Sequence, residues 1–116
     1  MKSELNPEIQ LLAGKQAMLC KVFSNIQRIL ILWILSEGEL TVTEIAQIIG
    51  ASLQSTSQHL RLMELKGIVE WRREHHNIYY HIVDNELLKN CIVLANKPKN
   101  ISLENSPVLE HSSKGD

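Results

Sequence analysis

The chain has 116 residues, 44% of them hydrophobic, and its 12 basic and 13 acidic side chains leave a formal net charge of −1. That length suits one domain with one core. The near-neutral balance excludes a uniformly basic surface, so any contact with nucleic acid requires positive groups gathered on one face.

In chain order, Asn6, Pro7 and Glu8 form a helix start: an N-cap, a proline where no N–H is missed, and an acid near the positive end of the dipole. The helical pattern runs to about Phe23. Its apolar residues fall on more than one side, since Leu11 and Met18 lie off the face made by Ile9, Leu12, Leu19 and Phe23. A helix apolar on two sides in a small domain asks for a second partner, such as another subunit. Ser24 and Gln27 stand at capping-box spacing before a second helix over Ile26–Ser36, ended by Gly38. The centre of that helix is apolar all round and is expected at the middle of the core, with Arg28 at the rim. The apolar run Ile29–Leu35 is too short to span a bilayer, and the amino terminus shows no secretory leader, so a cytoplasmic location is expected.

The organising stretch is Thr41–Lys66. Thr41 and Glu44 form a capping box, Ile45, Ile48 and Ile49 give one apolar face, and Gly50 supplies a left-handed stop. Ser52 caps the next helix, in which Leu53, Thr56, Leu60 and Met63 recur at helical spacing and polar residues fill much of the rest. This is a helix, a tight turn and a second helix with a polar outer face, the arrangement of a helix-turn-helix reader. Gly67 ends it, and Ile68–Arg73 and Ile78–Val83 read as a hairpin with Glu74, His75, His76 and Asn77 as the turn. Asn77 is the turn residue expected to take a positive φ. Asp84 is the expected N-cap of a last helix, where Leu88, Cys91, Ile92 and Ala95 share a face and Leu87 and Leu94 widen it. Pro98 stops that helix. Residues 1–97 are thus expected to form the folded domain, and 98–116, without a periodic apolar pattern, a disordered C-terminal tail.

The order helix-helix-helix-helix-strand-strand-helix makes the chain mainly α with a β-hairpin wing. With that order the sequence resembles the ArsR type (ArsR/SmtB) of winged helix-turn-helix repressor over roughly Met18 to Ala95. The resemblance rests on Arg28 in SNIQRILIL, on TVTEIAQIIGAS, on STSQHLRLMELKGIVEWRRE and on IYYHI. Ser57, His59, Leu60, Gly67, Val69, Arg73 and Tyr80 stand where the family pattern has them. It implies a homodimer joined through the first and last helices, binding double-stranded DNA at an inverted repeat and released by an inducer. The two-sided first and last helices fit this independently. Paired readers would enter successive major grooves about 34 Å apart.

On that reading Gln54, Ser55, Gln58 and His59 are the candidates for base edges, since glutamine pairs bidentately with adenine and hydroxyls take either partner. Ser52, Ser57, Arg61, Arg72 and Arg73, with His75 and His76 at the hairpin tip, are the candidates for phosphates. Two alternatives stay open: Ser57 bonding only within its helix, and His59 as a packed histidine bridging to the hairpin.

One metal site common in the family needs two ligand pairs along the last helix. Asp84 and Glu86 match the first, but Lys97 and Asn100 occupy the second and do not suit zinc. The other needs a cysteine pair in the third helix, where Thr43–Ile49 holds none, and adjacent His75 and His76 point to opposite sides of a strand. Neither a metal nor another cofactor is expected. Cys20 and Cys91 form neither a disulfide framework nor a CxxC motif. They lie on the two helices expected to meet at the dimer interface, so they stand as a candidate redox switch beside the reading of both as core residues. No catalytic triad, glycine-rich phosphate loop or paired carboxylate appears at a useful spacing, so an enzyme is a distant third reading and is not expected. The alternative to a repressor is a winged-helix module for protein assembly, to which Glu64, Glu70 and Glu74 among the basic groups point.

Overall fold

The computed structural model describes residues 3–101. Asn6 opens α1 (Pro7–Val22) by accepting the Glu8 amide at 2.8 Å, as expected from the sequence. From Pro7 to Ala17 every residue of α1 is exposed, and only its end is buried, through Leu19 and Val22. Helix α2 (Ile26–Leu35) is the core helix: Ile31 and Leu32 are fully buried, with Ile34 and Leu35 beside them.

The start of α2 differs from the expected Ser24–Gln27 box. Asn25 is the N-cap, accepting the Arg28 amide at 3.2 Å, while Ser24 Oγ donates back to the Lys21 carbonyl at 2.7 Å. Ser24 therefore serves the end of α1, and the Gln27 side chain is left for another partner.

Helix α3 (Val42–Ile49) carries the complete capping box: Thr41 Oγ1 accepts the Glu44 amide at 3.2 Å and Glu44 Oε1 accepts the Thr41 amide at 2.9 Å. Gly50, at φ 72°, turns the chain into α4 (Leu53–Leu65), where Ser52 Oγ accepts the Ser55 amide at 3.0 Å. A left-handed backbone costs other L-residues about 1–2 kcal/mol, which is why glycine sits there. Gly67, at φ 73°, ends α4 in the same way, with Ile68 N–H donating to Met63 O at 2.8 Å and Gly67 N–H to Glu64 O at 3.0 Å. This pair of bonds is a Schellman motif, and it aims the chain directly into the hairpin.

Strands β1 (Val69–Glu74) and β2 (Asn77–Ile82) pair antiparallel in the register Val69↔Ile82 to Glu74↔Asn77. The turn is thus shorter than expected, His75 and His76 alone, and His75 rather than Asn77 takes the positive φ, 57°. Once Glu74 and Asn77 pair, Asn77 is strand and the left-handed position falls one step after Glu74. Leu40, just before α3, makes an isolated antiparallel bridge to the hairpin: its N–H and C=O bond Tyr80 at 3.2 and 2.8 Å.

The expected last helix is two short ones, α5 (Glu86–Lys89) and α6 (Ile92–Ala95). Asn85, not Asp84, caps α5, accepting the Leu87 amide at 2.8 Å, and Asp84 instead pairs with Lys89 at 2.7 Å. Extended backbone at Cys91 separates the pieces and changes which residues face inward. Leu88 and Cys91 are buried, but Ile92 is 71% exposed, and Val93 and Leu94 pack against the core in its place. Trp33 Nε1 ties α6 to α2 by donating to Val93 O at 2.9 Å. After Pro98 the chain is irregular but not yet free, because Ile101 packs against the core. The rest of the expected tail, 102–116, lies outside the described residues. Among the described residues no single helix is long and apolar enough to cross a membrane.

Candidate nucleic-acid interface

Helix α4 divides into three lengthwise stripes. Thr56, Leu60 and Met63 are buried against the core and fix the helix in place. Ser55, His59 and Leu62, half-buried, form a flank, and Gln54, Ser57, Gln58 and Arg61 stand exposed on the outside. No hydrogen bond or ion pair engages these four outer side chains among the described residues, so their donors and acceptors are open to a ligand.

The flank differs from what the sequence suggested. His59 does not reach the hairpin: Nε2 lies 2.9 Å from Gln27 Oε1 and Nδ1 lies 3.2 Å from Arg28 NH1, both on α2. Burial, and then the Arg28 charge, hold its pKa below the ordinary imidazole value, so the ring is neutral at pH 7. With both nitrogens engaged, His59 has no free hydrogen-bonding group to offer a base edge. Ser55 Oγ also bonds Gln27 Oε1, at 3.0 Å. Arg28 is further fixed by donating Nε to Val22 O at 2.6 Å. The sequence pointed to Gln27 only as a capping-box partner of Ser24, not as part of this site. The signal that could have found it is Ser55 and His59 one helical turn apart, presenting two donors to whatever packs there.

The wing separates two arginines that look equivalent in sequence. Side chains alternate along a strand, so Trp71 and Arg73 share one face of β1 while Glu70, Arg72 and Glu74 share the other. Trp71 Nε1 donates to Glu64 Oε2 of α4 at 3.2 Å, which makes Arg73's face the one turned toward α4. Arg73 and Arg61 are exposed and unpaired among the described residues. Arg72 grips Glu39 in the loop before α3 through Nε, at 2.8 Å, and NH2, at 2.9 Å. It also reaches Glu74 at 3.2 Å and lies over the Tyr79 ring at 5.1 Å. The bond to Arg72 keeps Glu39 below the usual carboxylate range, and the bonds to Glu39 and Glu74 push Arg72 up. On the same face His81 Nε2 lies 2.9 Å from Glu70. The acids mingled with the basic residues in sequence are thus mostly engaged on the far side of the wing, and Glu64 is taken by Trp71. His75 and His76 occupy the exposed tip.

A buried helix-turn-helix with an exposed polar reader and a wing matches known proteins. Residues 26–70 fit the family model described as bacterial regulatory protein, arsR family. The crystal structure of the transcriptional repressor BigR from Xylella fastidiosa aligns with a TM-score of 0.68 at 32% identity, covering 76% of this chain and 85% of that one. The chain belongs to the arsR family of bacterial regulatory proteins. Another relative, the cadmium resistance transcriptional regulatory protein CadC homolog of Staphylococcus aureus, is 40% identical over 73 residues, 62% of this chain and 60% of that protein. The solution structure of the homodimeric winged helix-turn-helix DNA-binding domain Mb0332 from Mycobacterium bovis aligns with a TM-score of 0.59 at 32% identity, over 70% of this chain and 75% of that one. The chain spans 60%, 55% and 63% of the length of the first three curated relatives it matches.

Within this arsR-family fold the remaining candidates lie on elements other than α4 and the wing. Cys20 is exposed on α1, whereas Cys91 is buried at the α5–α6 break, and both are free thiols. Lys97 donates to Ser36 Oγ at 2.9 Å and also pairs with Glu37, so it acts as a strut between the chain after α6 and the end of α2. Among the described residues no group of three or more His, Cys, Asp or Glu side chains is arranged to hold a metal.

Proposed function

We propose that this protein is a homodimeric transcriptional repressor that binds an inverted-repeat operator through α4 and the wing, and leaves it on binding an inducer. The observation that carries the reading is the outer stripe of α4, which includes Arg61 and is unpaired among the described residues, beside the equally unpaired Arg73, while Arg72, the other arginine of the wing, is engaged. Gln54 and Gln58 are the base readers, and Ser55 reaches bases only with the freedom that Gln27 leaves it. Ser52, Ser57, Arg61 and Arg73 contact phosphates, with His75 and His76 at the tip. Arg72, held by Glu39, is assigned to the wing's own structure.

Dimerisation is supported by the exposed apolar surface of α1, where Ile9, Leu11 and Leu12 are 52%, 62% and 51% exposed, and by the homodimeric relative. A monomer leaving such a surface in water would forfeit roughly 25 cal/mol for each Å² it could bury.

The test is fluorescence anisotropy with DNA from upstream of the protein's own gene, over a series of salt concentrations. Saturable binding that weakens steeply with salt and exceeds that to random DNA is expected. Absent or salt-indifferent binding would reject the repressor and favour a protein-assembly module. The same titration under oxidising conditions addresses the thiols. Release on oxidation supports Cys20 and Cys91 as a switch, and indifference assigns them to packing.

A further inference from the structure

The hydrogen-bond chain between α2 and α4 has a direction, and one end imposes it. Arg28 carries donors only, so its NH1 makes Nδ1 of His59 an acceptor. The neutral ring must then hold its proton on Nε2, 2.9 Å from the Gln27 amide oxygen. That fixes which way the amide faces, with oxygen rather than nitrogen toward α4. The same oxygen lies 3.0 Å from Ser55 Oγ. Having no proton of its own, it obliges the serine to donate. A serine hydroxyl has one proton and two lone pairs, so once the proton is committed only lone pairs remain to face an incoming group.

Ser55 lies in the first turn of α4, the end of a reader helix that approaches base edges, and it is half-exposed there. An unconstrained hydroxyl pairs with either kind of base edge and discriminates little. Resting on the DNA-binding reading above, we propose that Gln27 is a specificity-determining residue acting through Ser55. It holds the hydroxyl as an acceptor, so that Ser55 selects the amino group of adenine or cytosine and turns away guanine O6 and thymine O4. Gln27 touches no base in this scheme; it is a positioning residue whose effect appears in the operator sequence. The lowered pKa of His59 keeps the chain polarised in this sense at neutral pH.

The experiment selects duplexes from a random library with the wild type, Gln27→Met, Gln27→Glu and Ser55→Ala, followed by binding titrations on single-base variants. The wild type is expected to prefer adenine or cytosine at one position of each half-site by about three- to tenfold, the discrimination of a single hydrogen bond. Gln27→Glu keeps the acceptor and should keep the preference. Gln27→Met and Ser55→Ala should both lose it at the same position, with no further loss in the double variant. A second measurement needs no variant at position 27: a duplex whose selected base lacks its exocyclic amine should bind the wild type about three- to tenfold more weakly and Ser55→Ala no differently from the intact duplex. Retention of the preference by a folded Gln27→Met, or wild-type binding indifferent to the missing amine, would overturn the inference while leaving the repressor intact. Failure of the wild type to select any sequence would instead overturn the DNA-binding reading on which the inference rests.

Discussion

Replacing Arg73 by alanine offers the most direct check on the proposed contact between the wing and DNA. Arg73 is exposed, unpaired among the described residues, and on the face of β1 shared with Trp71, which bonds α4. Each phosphate neutralised on duplex DNA contributes ~0.9 to the slope of log affinity against log salt. A dimer presents the residue twice, so losing it should flatten the slope by ~1.8. Raising salt fourfold, from about 50 to 200 mM, should then cost the wild type about 12-fold more affinity than the variant. Arg72→Ala is the control, because its guanidinium is spent on Glu39 and Glu74. It should leave the slope unchanged. Anisotropy titrations at four or more salt concentrations measure both. Equal flattening by the two substitutions would refute the argument from strand alternation, and flattening by Arg72→Ala alone would reverse it.

The other predictions concern the protein itself. His59 is held below its ordinary value of 6.5, so as pH falls past that point the unfolded chain takes up the proton first. Its contribution to stability is therefore complete above about pH 6.5 and lost as pH falls toward and through the folded pKa. Urea midpoints of the wild type should drop over that window more than those of His59→Gln, and parallel curves would contradict the geometry. Thr56 is fully buried and its Oγ1 has no partner among the described residues, so Thr56→Val should be neutral or stabilising by up to ~1 kcal/mol. A clear loss in urea unfolding would reveal a bond to that oxygen. Leu60, 0% exposed on the inner stripe of α4, should cost ~2–5 kcal/mol on truncation to alanine. Leu12→Lys, on the exposed side of α1, should leave the fold intact by circular dichroism yet dissociate the proposed dimer in sedimentation; an unchanged mass would place the interface elsewhere.

What was legible in the sequence was whatever a few neighbouring residues decide among themselves. Asn6–Pro7–Glu8, the Thr41–Glu44 box, Gly50, Ser52 and the Gly67 turn all act within about one helical turn, and the structure has each of them in that role. Local reasoning failed where two adjacent residues compete for one job. Asn25 displaces Ser24 and Asn85 displaces Asp84, in each case an asparagine one step later. The hairpin register moved the positive φ to His75, and register depends on pairing that no four-residue window contains. Nor could spacing show that Glu39, 33 residues from Arg72, would occupy it, or that Leu40 would bond Tyr80. The break at Cys91 is of the same kind: Leu88, Cys91, Ile92 and Ala95 make a sound helical face, but packing by Val93 and Leu94 prevails over it. The candidate interface was therefore legible as a set of residue types, whereas their division into open and engaged groups came from contacts distant in sequence.

The chain holds two tryptophans, and their placement makes the molecule its own spectroscopic instrument. The Trp33 indole is hydrogen-bonded to the α6 carbonyl of Val93, at the end of the fold where the subunits are proposed to meet. Trp71, 44% exposed, sits on the wing face turned toward α4. Emission from the first should respond to docking of the terminal helices, and emission from the second to whatever approaches α4. With one indole replaced by phenylalanine at a time, the proposed subunit association and operator capture would become separately timed events in a stopped-flow trace, with no dye attached to the protein.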